Sequence, residues 1–182
     1  MGRAIPLLAV LVLGCGASER APVRAPSVSD RLDALARDLF RRLTSGDLEM
    51  VNGLRAGEAV VRDLFDPGFS EVVLDQRRMD SDGPARIIRD WRPFVGARYA
   101  GFCARRVGAG AADLPGLVDG ALAIGELTIA GRDAAGEWAG LVRDLVLTPD
   151  GYRLVRWSVE SPRREHFDLE SWTCDFSRRP DH

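Results

Sequence analysis

Trp138-Ala139-Gly140-Leu141-Val142-Arg143-Asp144-Leu145-Val146-Leu147-Thr148-Pro149-Asp150-Gly151-Tyr152-Arg153-Leu154-Val155 consists of two apolar, β-branched runs on either side of Pro149-Asp150-Gly151. Proline and glycine around an aspartate favour a tight turn, and the flanking runs have the length and composition of strands. The stretch therefore predicts a hairpin, with strands over residues 138–148 and 152–160. Upstream, residues 122–130 read as a further strand, joined to the hairpin through Gly131-Arg132-Asp133-Ala134-Ala135-Gly136. A strand over residues 97–104 precedes a Gly/Ala-rich loop containing Leu114-Pro115-Gly116. Short turns between strands give an antiparallel meander, so the second half of the chain is β.

The first half follows a different period. Val28, Leu32, Leu35, Ala36, Leu39, Phe40 and Leu43 recur at spacings of three and four, with Ser27 or Ser29 as cap and Thr44-Ser45-Gly46 as the end. Shorter helical stretches follow over residues 47–54 and 57–65, the latter stopped by Asp66-Pro67-Gly68. Residues 71–75 are apolar but too few to assign to either state. Asp80-Ser81-Asp82-Gly83-Pro84 then opens a helix carrying Ile87, Ile88 and Trp91. Helices first and strands last predict an α+β domain, with the N-terminal helices packed on one face of a curved antiparallel sheet formed by the C-terminal half.

A capped first helix ending at Ser45-Gly46-Asp47, a second short helix and the closing hairpin from Trp138 to Val155 resemble the nuclear-transport-factor-two-like superfamily. The resemblance spans roughly residues 29 to 160 in layout. It implies a cone of sheet around a pocket, used by some members for isomerase, dehydratase or cyclase chemistry and by many others only for binding or assembly.

The leader carries a second resemblance. Met1-Gly2-Arg3-Ala4 supplies a positive start, residues 5–13 are apolar apart from Pro6, and Gly14, Gly16 and Ala17 are small. The apolar run is too short to span a bilayer, which takes about twenty residues. Val12-Leu13-Gly14-Cys15 resembles the bacterial lipobox, with Val12 and Leu13 in place of the commonest residues. The resemblance implies a lipoprotein signal peptide over 1–14, cleavage before Cys15 and acylation of that cysteine. Gly16, where an inner-membrane retention signal would often place Asp, implies delivery to the outer membrane, facing the periplasm. Residues 15–28, with Pro22 and Pro26 and no apolar period, read as a flexible lipidated tether. The folded domain is then 29–161, followed by a tail over 162–182 packed back on the sheet.

Composition excludes several partners. The formal net charge is -2, and no long run of one sign occurs, which argues against an electrostatic footprint for nucleic acid or anionic lipid headgroups. All 25 basic residues are arginine, the signature of a GC-rich genome. With Cys15 assigned to lipid, Cys103 and Cys174 form an even pair, and an exported setting favours a disulfide between them over two buried thiols. Two cysteines with His166 and His182 show no metal-ligand spacing, so neither metal nor cofactor is expected.

No nucleophile-His-carboxylate arrangement and no phosphate loop is present. In the strand over 138–148, Asp144 alternates with Val142 and Val146, and Arg143 with Leu141 and Leu145, so either face carries a charge. Asp144 is the one weak catalytic candidate, as a carboxylate in a pocket walled by Trp91 and Tyr99; alternatively the charge on this strand lies near an open end or pairs with Glu126 or Arg156 on a neighbouring strand. Two functions stay open: a membrane-tethered binding or assembly module, with an envelope protein or small ligand as partner, and a small isomerase- or dehydratase-type enzyme.

Overall fold

The computed structural model describes residues 26–108, 114, 117–119, 121–148, 151–164 and 173–178. Cys15 and the leader, the Pro149-Asp150 turn, His166, Phe167, Trp172 and His182 lie outside the described residues.

Five α-helices precede the sheet: α1 (Val28–Leu43), α2 (Leu48–Asn52), α3 (Glu58–Leu64), α4 (Pro67–Met79) and α5 (Gly83–Trp91). Ser27 caps α1 in a capping box with Asp30, which satisfies donors that a helix start otherwise leaves without partners. Asp66-Pro67-Gly68 ends α3, as expected, and also begins α4. The Asp66 carboxylate accepts from the Phe69 amide at 2.9 Å, with Pro67 in the first turn. Residues 71–75 thus belong to a helix of 13 residues.

Strands β1 (Arg98–Gly108), β2 (Leu122–Asp133), β3 (Gly136–Thr148), β4 (Gly151–Leu154) and β5 (Phe176–Arg178) form one open antiparallel sheet in the order β4-β3-β2-β1-β5. The sheet does not close into a barrel. The domain is α+β, with helices N-terminal and the sheet in the C-terminal half.

The main apolar cluster lies between the sheet and α1, α2 and α5. Trp138 is fully buried at its centre, with ring centroids 5.7 Å from Phe40, 5.7 Å from Trp91 and 4.6 Å from Phe94. Indoles of this size fit because the strands beneath, β2 and β3, each carry a glycine there. A Cβ on Gly140 would stand 2.5 Å from the Trp91 ring, and one on Gly131 2.2 Å from Trp138. Aromatic side chains bury about 150–250 Å² each, at roughly 25 cal/mol per Å² before entropy is counted.

A second cluster joins Val61, Leu64 and Phe65 to Val73 and Leu74, Ala123, Val146 and Val155. Ala123 and Val146 alternate with Ile124 and Leu145 of the first cluster, so they point to the opposite face of the sheet. The helices are therefore not confined to one face, as their order in the sequence suggested. Here α3 and α4 cover the other side.

The switch between faces runs across three strands. Arg105 pairs with Glu126 and Val107 with Ile124; Glu126 pairs with Arg143 and Ile124 with Leu145. Arg106, Gly125 and Asp144 thus stand in one row. Arg106 and Asp144 have φ of 57° and 56°, a region non-glycine residues seldom enter. On either side of this row the first cluster takes residues of opposite parity, Val142 before it and Leu145 after it.

The expected strand over 152–160 is interrupted at the same row. Leu145 pairs with Leu154, and Val142 bridges to Val159. Three steps along β3 are matched by five on the last segment, leaving residues 155–158 bowed out around Asp144. Beyond the bow the segment rejoins β3, and Ala139 and Arg163 exchange backbone hydrogen bonds of 2.9 and 2.8 Å.

Cys103 and Cys174 are joined by a disulfide with Cα atoms 5.5 Å apart. The bridge sits beside the pairing of β5 on β1, where Cys103 faces Ser177, and the Asp175 carboxylate accepts from the Val107 amide at 3.0 Å.

Candidate functional site

The bow over 155–158 brings polar side chains to the edge of α4. Arg156 donates to Asp144 at 3.1 Å and to Gln76 Oε1 at 2.9 Å, and the Ser158 hydroxyl donates to the other oxygen of Asp144. Of the two partners expected for the charge on this strand, Arg156 takes Asp144. Glu126 instead meets Arg105 at 2.6 Å and Arg143 at 4.0 Å. Asp144 is mostly buried, and both of its oxygens are engaged within the protein.

One cleft adjoins this cluster, and a second lies across Arg77 from it. The first, of about 180 Å³, is lined by Gln76, Arg77, Asp80, Arg156, Trp157 and Ser158. The other, of about 300 Å³, is lined by Arg55, Ala56, Gly57, Glu58, Leu74, Arg77 and Arg78. Arg77 is the wall they share. Asp144 lies behind Arg156 and Ser158 and lines neither cleft.

Arg77 is carried by α4 and is only 5% exposed. One guanidinium nitrogen, Nη2, donates to the Ala56 carbonyl; Nε is buried with no acceptor, as is Nε of Arg156. Burial, then the neighbouring Arg55 charge, pushes Arg77 down to about 10, because a low-dielectric site disfavours the charged form. Burial lowers Arg55 as well. Arg55 lies over the Trp157 ring, 5.7 Å from its centroid. Among the described residues neither Arg55 nor Arg77 has a carboxylate within salt-bridge distance, whereas Arg78 is held by Asp75 at 2.6 Å and Arg62 by Glu58 at 2.7 Å.

The expected pocket walls lie elsewhere. Trp91 is fully buried in the main cluster, and its indole nitrogen donates to the Glu160 carbonyl at 3.2 Å. Tyr99 donates to Asp33 at 3.2 Å, beneath the Arg37 guanidinium at 4.6 Å from its ring centroid. Neither residue lines either cleft, and neither comes together with Asp144. Sequence reasoning missed Arg55 and Arg77, because only the return of residues 54–56 against Leu154 and the existence of α4 bring them together. No group of metal-ligating side chains is present among the described residues, and no described helix is long and apolar enough to cross a membrane.

In comparisons with known proteins, no family model matches the chain, and neither does any curated protein or solved structure.

Proposed function

We propose that this chain is a cell-envelope lipoprotein, held by lipid on Cys15 at the outer membrane and facing the periplasm, whose folded domain is a binding or assembly module. The observation that carries the reading is the Cys103–Cys174 disulfide, since such bonds persist in oxidising compartments and are rare in the cytosol. The leader supports the same address, because an apolar run ends at Val12-Leu13-Gly14-Cys15. Acyl chains bound there contribute about 0.8 kcal/mol per buried methylene, and two or more on one residue give stable attachment.

Binding is favoured over catalysis by the state of Asp144. A proton shuttle must face substrate, and Asp144, bonded to Arg156 and Ser158, lines neither cleft. Arginine is the charge that predominates in the clefts: Arg77 with Arg156 in one, and Arg77 with Arg55 and Arg78 in the other.

The test is expression of wild type and Cys15→Ser with labelled palmitate, followed by membrane fractionation. Wild type incorporates label and sediments with membranes; the variant does neither. A wild-type protein that is unlabelled and released in soluble form overturns the anchor.

A further inference from the structure

We propose that the clefts flanking Arg77 form a binding site for a small ligand bearing an oxyanion, a carboxylate or a phosphate. The inference rests on reading the domain as a binding module and names the ligand class; it does not depend on the lipid anchor.

Three observations carry it. First, Arg55 and Arg77 line one cleft of about 300 Å³ with no carboxylate paired to either among the described residues. Most arginines nearby are neutralised: Arg62 by Glu58 and Glu71, Arg78 by Asp75, Arg156 by Asp144. Second, Arg77 is 5% exposed, and among the described residues only its Nη2 has a protein acceptor. A buried guanidinium without a salt-bridged counter-charge is costly, more so beside a second one, and an anion in the adjoining space offsets both penalties. Third, the site is held from several directions. Ala56 accepts from Arg77, the backbone of 54–56 is tied to Leu154 by bonds of 3.1 and 3.1 Å, and Trp157 supports Arg55.

The acidic groups at the clefts offset this charge only in part, Glu58 acting on Arg77 and Asp80 on Arg55 from beyond salt-bridge distance. Glu58 is turned to Arg62 and is 61% exposed. Asp80 lies 3.6 Å from Arg86. Arginine suits such a ligand because its planar fork matches carboxylate and phosphate oxygens, and its charge persists at all physiological pH. The cleft volume suits a ligand of a few heavy atoms rather than a polymer.

The experiment uses the purified full chain in non-ionic detergent and follows arginine Nε–H resonances by ¹⁵N NMR. Inorganic phosphate, glycerol phosphate and succinate are titrated at constant ionic strength set with chloride. The expected result is a saturable shift of the Arg55 and Arg77 resonances with at least one probe. Affinity falls roughly ten-fold in Arg55→Gln, the scale of one lost charge-assisted contact, and is unchanged in Arg89→Gln on the exposed side of α5. Arg55→Gln replaces Arg77→Gln as the decisive variant because Arg77 also holds Ala56. Glycerol phosphate binding more tightly than inorganic phosphate identifies a lipid headgroup as the source; succinate binding most tightly identifies a free carboxylate. Shifts that do not saturate, or that are the same in Arg55→Gln, overturn the site. Membrane fractionation of Cys15→Ser reads the anchor separately, and neither result determines the other.

Discussion

The Tyr152 phenol donates a 2.7 Å hydrogen bond to Asp38, so the strand at one edge of the sheet is fastened to α1. The chain's other tyrosine does the same from β1, through Asp33. Both links cross from sheet to helix at the rim of the main cluster. At Asp38, burial works to raise the carboxyl, but hydrogen bonds from Arg41, Tyr152 and Arg42 outweigh it and hold it below its usual range. Burial, with Asp38 beside it, raises the Tyr152 phenol.

Stability should consequently fall at both ends of the pH scale. A depressed carboxyl contributes stability that is present above the unfolded value of about 3.9 and lost as pH falls through the folded value. A raised phenol contributes stability that is complete below about 10 and lost as pH rises beyond it. Asp38→Asn should flatten the acid limb and Tyr152→Phe the alkaline limb. Tyr152→Phe should cost about 1 kcal/mol near neutrality, the net worth of one hydrogen bond, and Asp38→Asn more than that, since Arg41 and Arg42 lose their charged partner too. Urea unfolding at a series of pH values reads this, and an acid limb unchanged in Asp38→Asn counts against it.

Gly140 is required by Trp91. A Cβ at 2.5 Å from the indole cannot be accommodated without moving the ring, and Trp91 is enclosed on all sides. Gly140→Ala should destabilise by about 1–3 kcal/mol through overpacking, and Trp91→Phe should recover part of that loss in the double variant. Thermal unfolding of the two singles and the double gives the coupling; strictly additive effects would show that the two residues do not meet.

The hairpin, the α1 helix and the α+β class were legible because each depends on local period and turn chemistry. Helix α4 was not, because Asp66-Pro67-Gly68 serves as a stop for one helix and a cap for the next, and a local reading registers only the first role. The interrupted final strand depends on how residues 155–158 pass Asp144 on a partner strand, and no local pattern records that. The same holds for Arg77. Its burial is set by the Ala56 carbonyl 21 residues earlier and by a helix that sequence reasoning left unassigned. Trp91 was legible as apolar and as helical, but which of two faces it joined was decided by a glycine 49 residues away.

Removal of the Cys103–Cys174 bridge should weaken the sheet edge that carries β5. A closed loop with a sequence separation of 71 is worth about 4 kcal/mol in the chain-entropy model. Cys103→Ala with Cys174→Ala should therefore lower stability by a few kcal/mol, with Phe176 to Arg178 losing protection in hydrogen exchange before β2 and β3 do. Equal loss of protection across all strands would mean that β5 opens only with the whole domain.

Asp144 provides the sharpest separation between a structural and a catalytic carboxylate. Its φ of 56° favours Gly or Asn over Ala, since a short polar side chain tolerates the left-handed region. Its carboxylate holds Arg156, whose side chain is 26% exposed, so solvent screening moderates what the pair is worth. Asp144→Asn keeps the backbone preference and an acceptor for Ser158, and should cost about 1 kcal/mol. Asp144→Ala loses the left-handed preference and both bonds, leaves Arg156 with Gln76 alone, and should cost roughly 2–3 kcal/mol. Arg156→Gln in the Asp144→Ala background should then add little, because the charge left behind is gone. Urea unfolding of the four proteins measures the ordering. If Asp144→Ala is as stable as the parent or more so, the residue is a strained carboxylate kept for another purpose, and the case for proton chemistry at that row reopens.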